Sequence, residues 1–197
     1  MVLYVLIMSE TLYHVTTIDR AERCLEEGLM PYLTTMSRPE TLKLDMYYDS
    51  VRPNDVVERG LTRLGSVYAH LELSKAVSRR NGGWLNHYTG KIAVLAVQIS
   101  DPTKVFVADG LLNVAPHIPE EYWASVMTLQ AYRDQEREGE PVFQAPCWHE
   151  KHNLLKPDRW KRYIYMWPEV LIPGGVEPAA VSLVPDELMP INNLDDI

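Results

Sequence analysis

The chain has 197 residues, a formal net charge of -8 and an apolar share of 46%, the profile of a globular protein with a sizeable core. A balance this acidic argues against broad electrostatic affinity for nucleic acid or an anionic membrane surface, and leaves only a local basic patch for either. Its two cysteines, Cys24 and Cys147, are far apart in sequence, so nothing forces a disulfide and a reducing cytoplasm is the simpler setting.

Residues 1–8 include Val-Leu-Tyr-Val-Leu-Ile, which is apolar but too short for a membrane span and lacks the basic flank of a signal peptide. They read as an edge strand or a dispensable extension, with Met8 as an alternative start. Leu12 to Val15 alternate as a strand does, with Leu12 and His14 on one face and Tyr13 and Val15 on the other. A polar turn and a helix are expected next. Thr16, Thr17 and Asp19 offer oxygens to the helix start, Asp19 with Glu22 fits a capping box, and Ala21, Cys24 and Leu25 form an apolar stripe. Gly28 suits a left-handed C-terminal position, and Pro31 blocks continuation. This spacing puts His14 at a strand end, where a ring nitrogen can meet a ligand lying over the strand ends.

Residues 34–64 show no clean period and predict short helices broken by loops over a binding cleft. Tyr47, Tyr48 and Arg52 are candidate substrate contacts there. Val67 to Leu71 read as a strand, and Glu72 to Arg79 as a helix ended by Asn81-Gly82-Gly83. Residues 91–99 are nearly all apolar and β-branched in part, the pattern of a central strand covered on both faces. Lys104 to Ala108 predict a short strand. Pro119 to Glu138 predict a helix with Trp123, Val126, Met127, Gln130 and Ala131 on one face.

Further on, Trp148 to Tyr165 interleave Lys151, Lys156, Arg159, Lys161 and Arg162 with Trp148, Trp160 and Tyr163. Basic side chains among aromatics can grip a single strand of nucleic acid by phosphate contact and base stacking, which makes Trp160 and Arg162 candidate substrate contacts. The same run also fits a solvated loop anchored by its tryptophans. Cys147, His149 and His152 lack an evident fourth ligand, so no metal site is expected. Arg162 to Met166 and Glu169 to Ile172 read as strands, the second ahead of a Pro-Gly-Gly turn, and Ala179 to Val184 as the last strand. Residues 185–197 form a loose acidic tail. No repeat or linker divides the sequence, so residues 1–197 read as a single domain of α+β class with a mostly antiparallel sheet.

Three islands stand out: Leu12-Tyr13-His14-Val15-Thr16, Ser66-Val67-Tyr68-Ala69-His70-Leu71, and Pro168-Glu169-Val170-Leu171-Ile172-Pro173-Gly174. In that order they resemble the ADP-ribosyltransferase superfamily, in the branch that uses a His, a Tyr and a Glu on three strands. The opening Tyr-His-Val-Thr with its Glu-Glu-Gly-Leu helix end, and the late Glu-Val-Leu-Ile-Pro-Gly-Gly-Val-Glu-Pro, are similar to DarT-like enzymes.

The resemblance implies an ADP-ribosyltransferase-like split, antiparallel-rich β core with flanking helices, gripping NAD as co-substrate. It implies that His14 hydrogen-bonds the adenosine ribose, that Thr16 helps hold that end, that Tyr68 stacks on nicotinamide and that Glu169 is the catalytic carboxylate, with Glu177 as its rival. The implied protein is a cytoplasmic glycosyltransferase-class enzyme that moves ADP-ribose to a macromolecule (DNA, RNA or protein), in the style of a toxin or phage–host conflict effector with an antidote protein. Alternatives on the same fold are an NAD-dependent RNA 2′-phosphotransferase and a catalytically inactive binding protein. The arginine that DarT-like enzymes carry shortly after the second-strand aromatic has no local match among His70, Glu72, Lys75, Arg79 and Arg80.

Overall fold

Apolar alternation makes two antiparallel sheets, and the way they part from each other positions the site. In the computed structural model, residues 9–31, 39–81, 92–113, 119–138 and 167–188 are described. Strand β1 (Glu10–Thr17) pairs along its whole length with β3 (Ile92–Ile99), which pairs on its other edge with β7 (Val181–Leu183). The second sheet has the order β2 (Ser66–Ala69), β6 (Pro168–Pro173), β4 (Phe106–Asp109), β5 (Met127–Thr128). Every pairing is antiparallel, and with six helices among the described residues the class is α+β.

The main core lies between the sheets. Leu12, Leu95 and Val97 of the first meet Val67, Ala69, Val107, Val170 and Ile172 of the second. Their alternate neighbours face outward and are covered in turn. Tyr13, Val15, Val94 and Ala96 pack beneath α4 (Leu73–Asn81). Phe106, Ala108 and Leu171 pack against residues of α2 (Pro39–Ser50), α3 (Asn54–Glu58) and α5 (Pro119–Ala124). β3 is thus covered on both faces, as its composition predicts.

Among the described residues, backbone pairing links the sheets at one bridge, in which Tyr13 and His70 exchange hydrogen bonds of 2.9 and 2.7 Å. Continued pairing would bring the Val15 amide to the Tyr68 carbonyl. That carbonyl instead takes the His14 ring, with Nδ1 2.6 Å away. A side chain replaces the ladder bond, and β1 and β2 diverge from there.

Several local expectations are corrected. β1 runs through Thr17 straight into α1 (Ile18–Glu27), so no polar turn intervenes, and His14 sits inside the strand rather than at its end. Thr17 is the N-cap and no side chain caps it, so Asp19 and Glu22 form no capping box. Leu25 stays exposed at the rim, while Ala21 and Cys24 reach the core. The helix expected over 119–138 is two, α5 and α6 (Leu129–Glu138). Ser125 breaks it: its hydroxyl donates to the Tyr122 carbonyl at 2.6 Å and accepts the Asp109 amide at 2.9 Å, and β5 then joins β4. The last strand is shortened because residues 178–180 form a 3-10 turn. Residues 1–8, the strand expected at 162–166 and the tail beyond 188 lie outside the described residues.

Gly28 ends α1 with φ 87° and ψ 178°, an extended form of positive φ open essentially to glycine rather than the left-handed helical one. The chain must extend at once because Leu29 bridges to Val176 through two 2.8 Å bonds. A Cβ at Gly28 would fall on the Val176 carbonyl oxygen, inside contact distance. Gly28→Ala is therefore expected to destabilise the protein by about 1–3 kcal/mol. Equilibrium denaturation reads this directly, and a midpoint equal to the parent's would refute the strained turn.

A candidate active site around Arg63 and Glu169

The helical spacing of Asp45, Tyr48 and Asp49 gives α2 one polar and aromatic inner face. That face takes hold of the loop before β2. Asp49 accepts the backbone amides of Arg63 at 2.8 Å and Leu64 at 3.1 Å. Thr62 accepts the Gly65 amide through its hydroxyl at 2.6 Å. The loop is fixed, and the Arg63 side chain is sent inward.

Arg63 is only 3% exposed and is met from every side. Its Nε donates to Asp45 Oδ1 at 2.7 Å and its Nη1 to Glu169 Oε2 at 2.7 Å. The rings of Tyr122, Tyr48 and Tyr68 lie around the guanidinium, with centroids 4.7, 5.2 and 5.2 Å from Cζ. Burial opposes the Arg63 charge, but Glu169 and the other groups around it, Asp45 among them, hold the guanidinium well above its usual pKa. Burial pushes the Asp45 carboxyl up, and Arg63 brings it partly back.

Glu169 sits on β6 opposite Ala108 of β4. The Tyr122 hydroxyl donates to Glu169 Oε2 at 2.7 Å, so that one oxygen carries two donors. Oε1 has no hydrogen-bond partner among the described residues, and the side chain is 18% exposed. Room beside its Cβ is kept by Gly110, where an added Cβ would stand 3.1 Å from that of Glu169 and 3.0 Å from the Trp167 carbonyl oxygen. Burial, and then Glu169 itself, push the Tyr122 hydroxyl well above its usual pKa, so it remains a donor.

Two of the three sequence islands meet at Arg63, through Tyr68 and Glu169, and the third reaches them only through the Tyr68 backbone carbonyl. Tyr68 of β2 shares a sheet face with Glu169 by register, packs its ring on Arg63 and donates its hydroxyl to the Arg63 carbonyl at 3.2 Å. His14 Nδ1 donates to the Tyr68 carbonyl, which fixes a proton on that nitrogen and the orientation of the ring. Thr16 is half-buried two residues on, on the His14 face of β1. Glu177 is exposed before the 3-10 turn that leads to β7, in the other sheet's part of the chain.

Two of the weaker candidates have other tasks. Tyr48 is wholly buried and donates to the Leu112 carbonyl at 2.9 Å, a core role rather than a substrate contact. Arg52 spends its guanidinium on the Asp49 and Leu61 carbonyls at 2.8 and 2.6 Å, tying off the unpaired end of α2. Tyr47 is exposed on the outer side of α2. Trp160, Arg162, Cys147, His149 and His152 lie outside the described residues. Sequence reasoning missed Arg63, Asp45 and Tyr122; the available signal was the shared helical face of Asp45, Tyr48 and Asp49. No described helix is long and apolar enough to cross a membrane. The chain matches none of the family models, curated proteins or solved structures with which it was compared.

Proposed function

We propose that the chain is an NAD-dependent ADP-ribosyltransferase acting on a macromolecular acceptor, on an ADP-ribosyltransferase-like split β core. The observation that carries this reading is Glu169: one carboxylate oxygen is gripped by Arg63 and Tyr122 while the other has no partner among the described residues. Such an oxygen can hold a ribose hydroxyl and face the positive charge that grows on the sugar as nicotinamide leaves. The surrounding residues fit the ligand. His14 carries a ring capable of hydrogen bonding to a ribose hydroxyl and is anchored to the Tyr68 carbonyl, and Tyr68 stands beside Glu169 as an aromatic wall. One face of that ring meets Arg63, so stacking on nicotinamide would use the remaining exposed part.

In the reaction the bond from ribose C1′ to nicotinamide breaks, and its electron pair leaves with the nicotinamide nitrogen. The acceptor's nucleophilic atom bonds C1′ and gives up its proton to Oε1 or to solvent. Purified protein incubated with NAD labelled in the adenine half, with and without cell extract, is expected to release nicotinamide and to leave label on nucleic acid or protein. Mass spectrometry of the labelled fraction identifies the acceptor. Absence of both release and binding heat with NAD would sink the reading.

A further inference from the structure

Glu169 presents one oxygen to a ligand only if something prevents its carboxylate from rotating, and two donors share that task. Arg63 cannot be removed without dismantling its surroundings, since it also holds Asp45 and three aromatic rings. Tyr122 divides its roles more cleanly. Its ring packs edge-on against Tyr48 and Trp123, with centroids 5.2 and 5.1 Å away and interplanar angles of 86° and 79°. Its hydroxyl reaches Glu169 alone among the bonds it donates.

The helix that carries Tyr122 is pinned just after the residue, through Ser125 and Trp123. Ser125 caps the Tyr122 carbonyl and is held in turn by the Asp109 amide, next to Ala108, the β4 partner of Glu169. Trp123 donates its indole N–H to the Tyr48 carbonyl at 2.8 Å. The ring is fully buried and cannot swing away without opening this packing.

From this geometry we infer that Tyr122 is a positioning residue for the reaction proposed above: its hydroxyl and Arg63 together hold Glu169 Oε2, so that Oε1 alone meets the ribose. The inference rests on the ADP-ribosyltransferase reading. It goes beyond it by assigning the orientation of the carboxylate to a tyrosine 47 positions away in sequence. An interaction that fixes geometry rather than binding affects turnover more than affinity.

Tyr122→Phe keeps the ring and removes only the hydroxyl. Its expected kcat for nicotinamide release is about ten- to a hundredfold below the parent's, the range of a hydrogen bond to a charged group. KM for NAD and the calorimetric Kd for NAD are expected to stay within about twofold. Crystals of the variant are expected to show Glu169 in more than one rotamer, a readout independent of turnover. Parent-like kcat with a single Glu169 rotamer would overturn the role of Tyr122 and leave the enzyme reading intact. A loss confined to KM would also overturn it. A parent protein that neither binds NAD nor releases nicotinamide removes the reading, and the proposal falls with it.

Discussion

Arg63→Ala is expected to lower the unfolding free energy by about 3–5 kcal/mol, the cost of taking one partner from a buried ion pair. Two carboxylates lose their cation, and Asp45 is the worse placed of them, at 2% exposure against 18% for Glu169. The missing guanidinium also leaves a void between Tyr48, Tyr68 and Tyr122. For a protein of ordinary stability, about 5–15 kcal/mol in total, this is a large fraction. In a chain of this size it corresponds to a fall in Tm of roughly 6–20 °C. Urea denaturation with matched slopes measures it. Arg63→Lys is expected to recover only part, because one ammonium cannot reproduce the fork that serves Asp45 and Glu169 at once. If Arg63→Ala unfolds within about 1 kcal/mol of the parent, the guanidinium does not organise this region. Additive effects of Arg63→Ala and Asp45→Ala would argue the same way, since contacting partners should couple.

Why this residue escaped sequence reasoning follows from how it is buried. A strand announces itself by alternation or by a continuous apolar run: Leu12 of β1 falls where alternation puts it, and β3 and β6 read as short apolar runs, with Leu95 and Val170 in the core. Arg63 lies in a loop, and its partners Asp45 and Glu169 are 18 and 106 positions away. Alone in sequence it reads as a solvated charge. Tyr122 was hidden for a related reason. The pattern from 119 to 138 supports one long helix, and only the Ser125 hydroxyl, competing for the Tyr122 carbonyl and meeting Asp109, divides it. His14 and Glu169 were singled out through the resemblance of their segments; both lie on strands, His14 within β1 and Glu169 near the start of β6. The task His14 performs within the fold, replacing a ladder bond where the sheets part, depends on the Tyr13–His70 bridge and could not be read from either segment by itself.

On the proposed ADP-ribosyltransferase reading, Glu169→Gln is expected to reduce kcat for nicotinamide release by about a hundred- to a thousandfold, the cost of losing a well-placed electrostatic group. The substitution preserves shape. The amide oxygen can still accept from Arg63 and Tyr122, which hold the Oε2 position now. That leaves the NH₂ where Oε1 stands, and a donor replaces the acceptor that the ribose hydroxyl needs. The negative charge that the proposed reaction sets against the sugar is lost in the same step. Stability should fall by less than for Arg63→Ala, because Asp45 still neutralises the guanidinium at 2.7 Å. Glu177→Gln serves as the comparison: its carboxylate is exposed ahead of the turn to β7, outside the Arg63 cluster, and its turnover should match the parent's. Nicotinamide release at saturating NAD, with denaturation curves for all three proteins, decides between the two carboxylates. Equal turnover by the Glu169 variant and the parent would remove Glu169 from the chemistry and reduce the Arg63 cluster to a structural one.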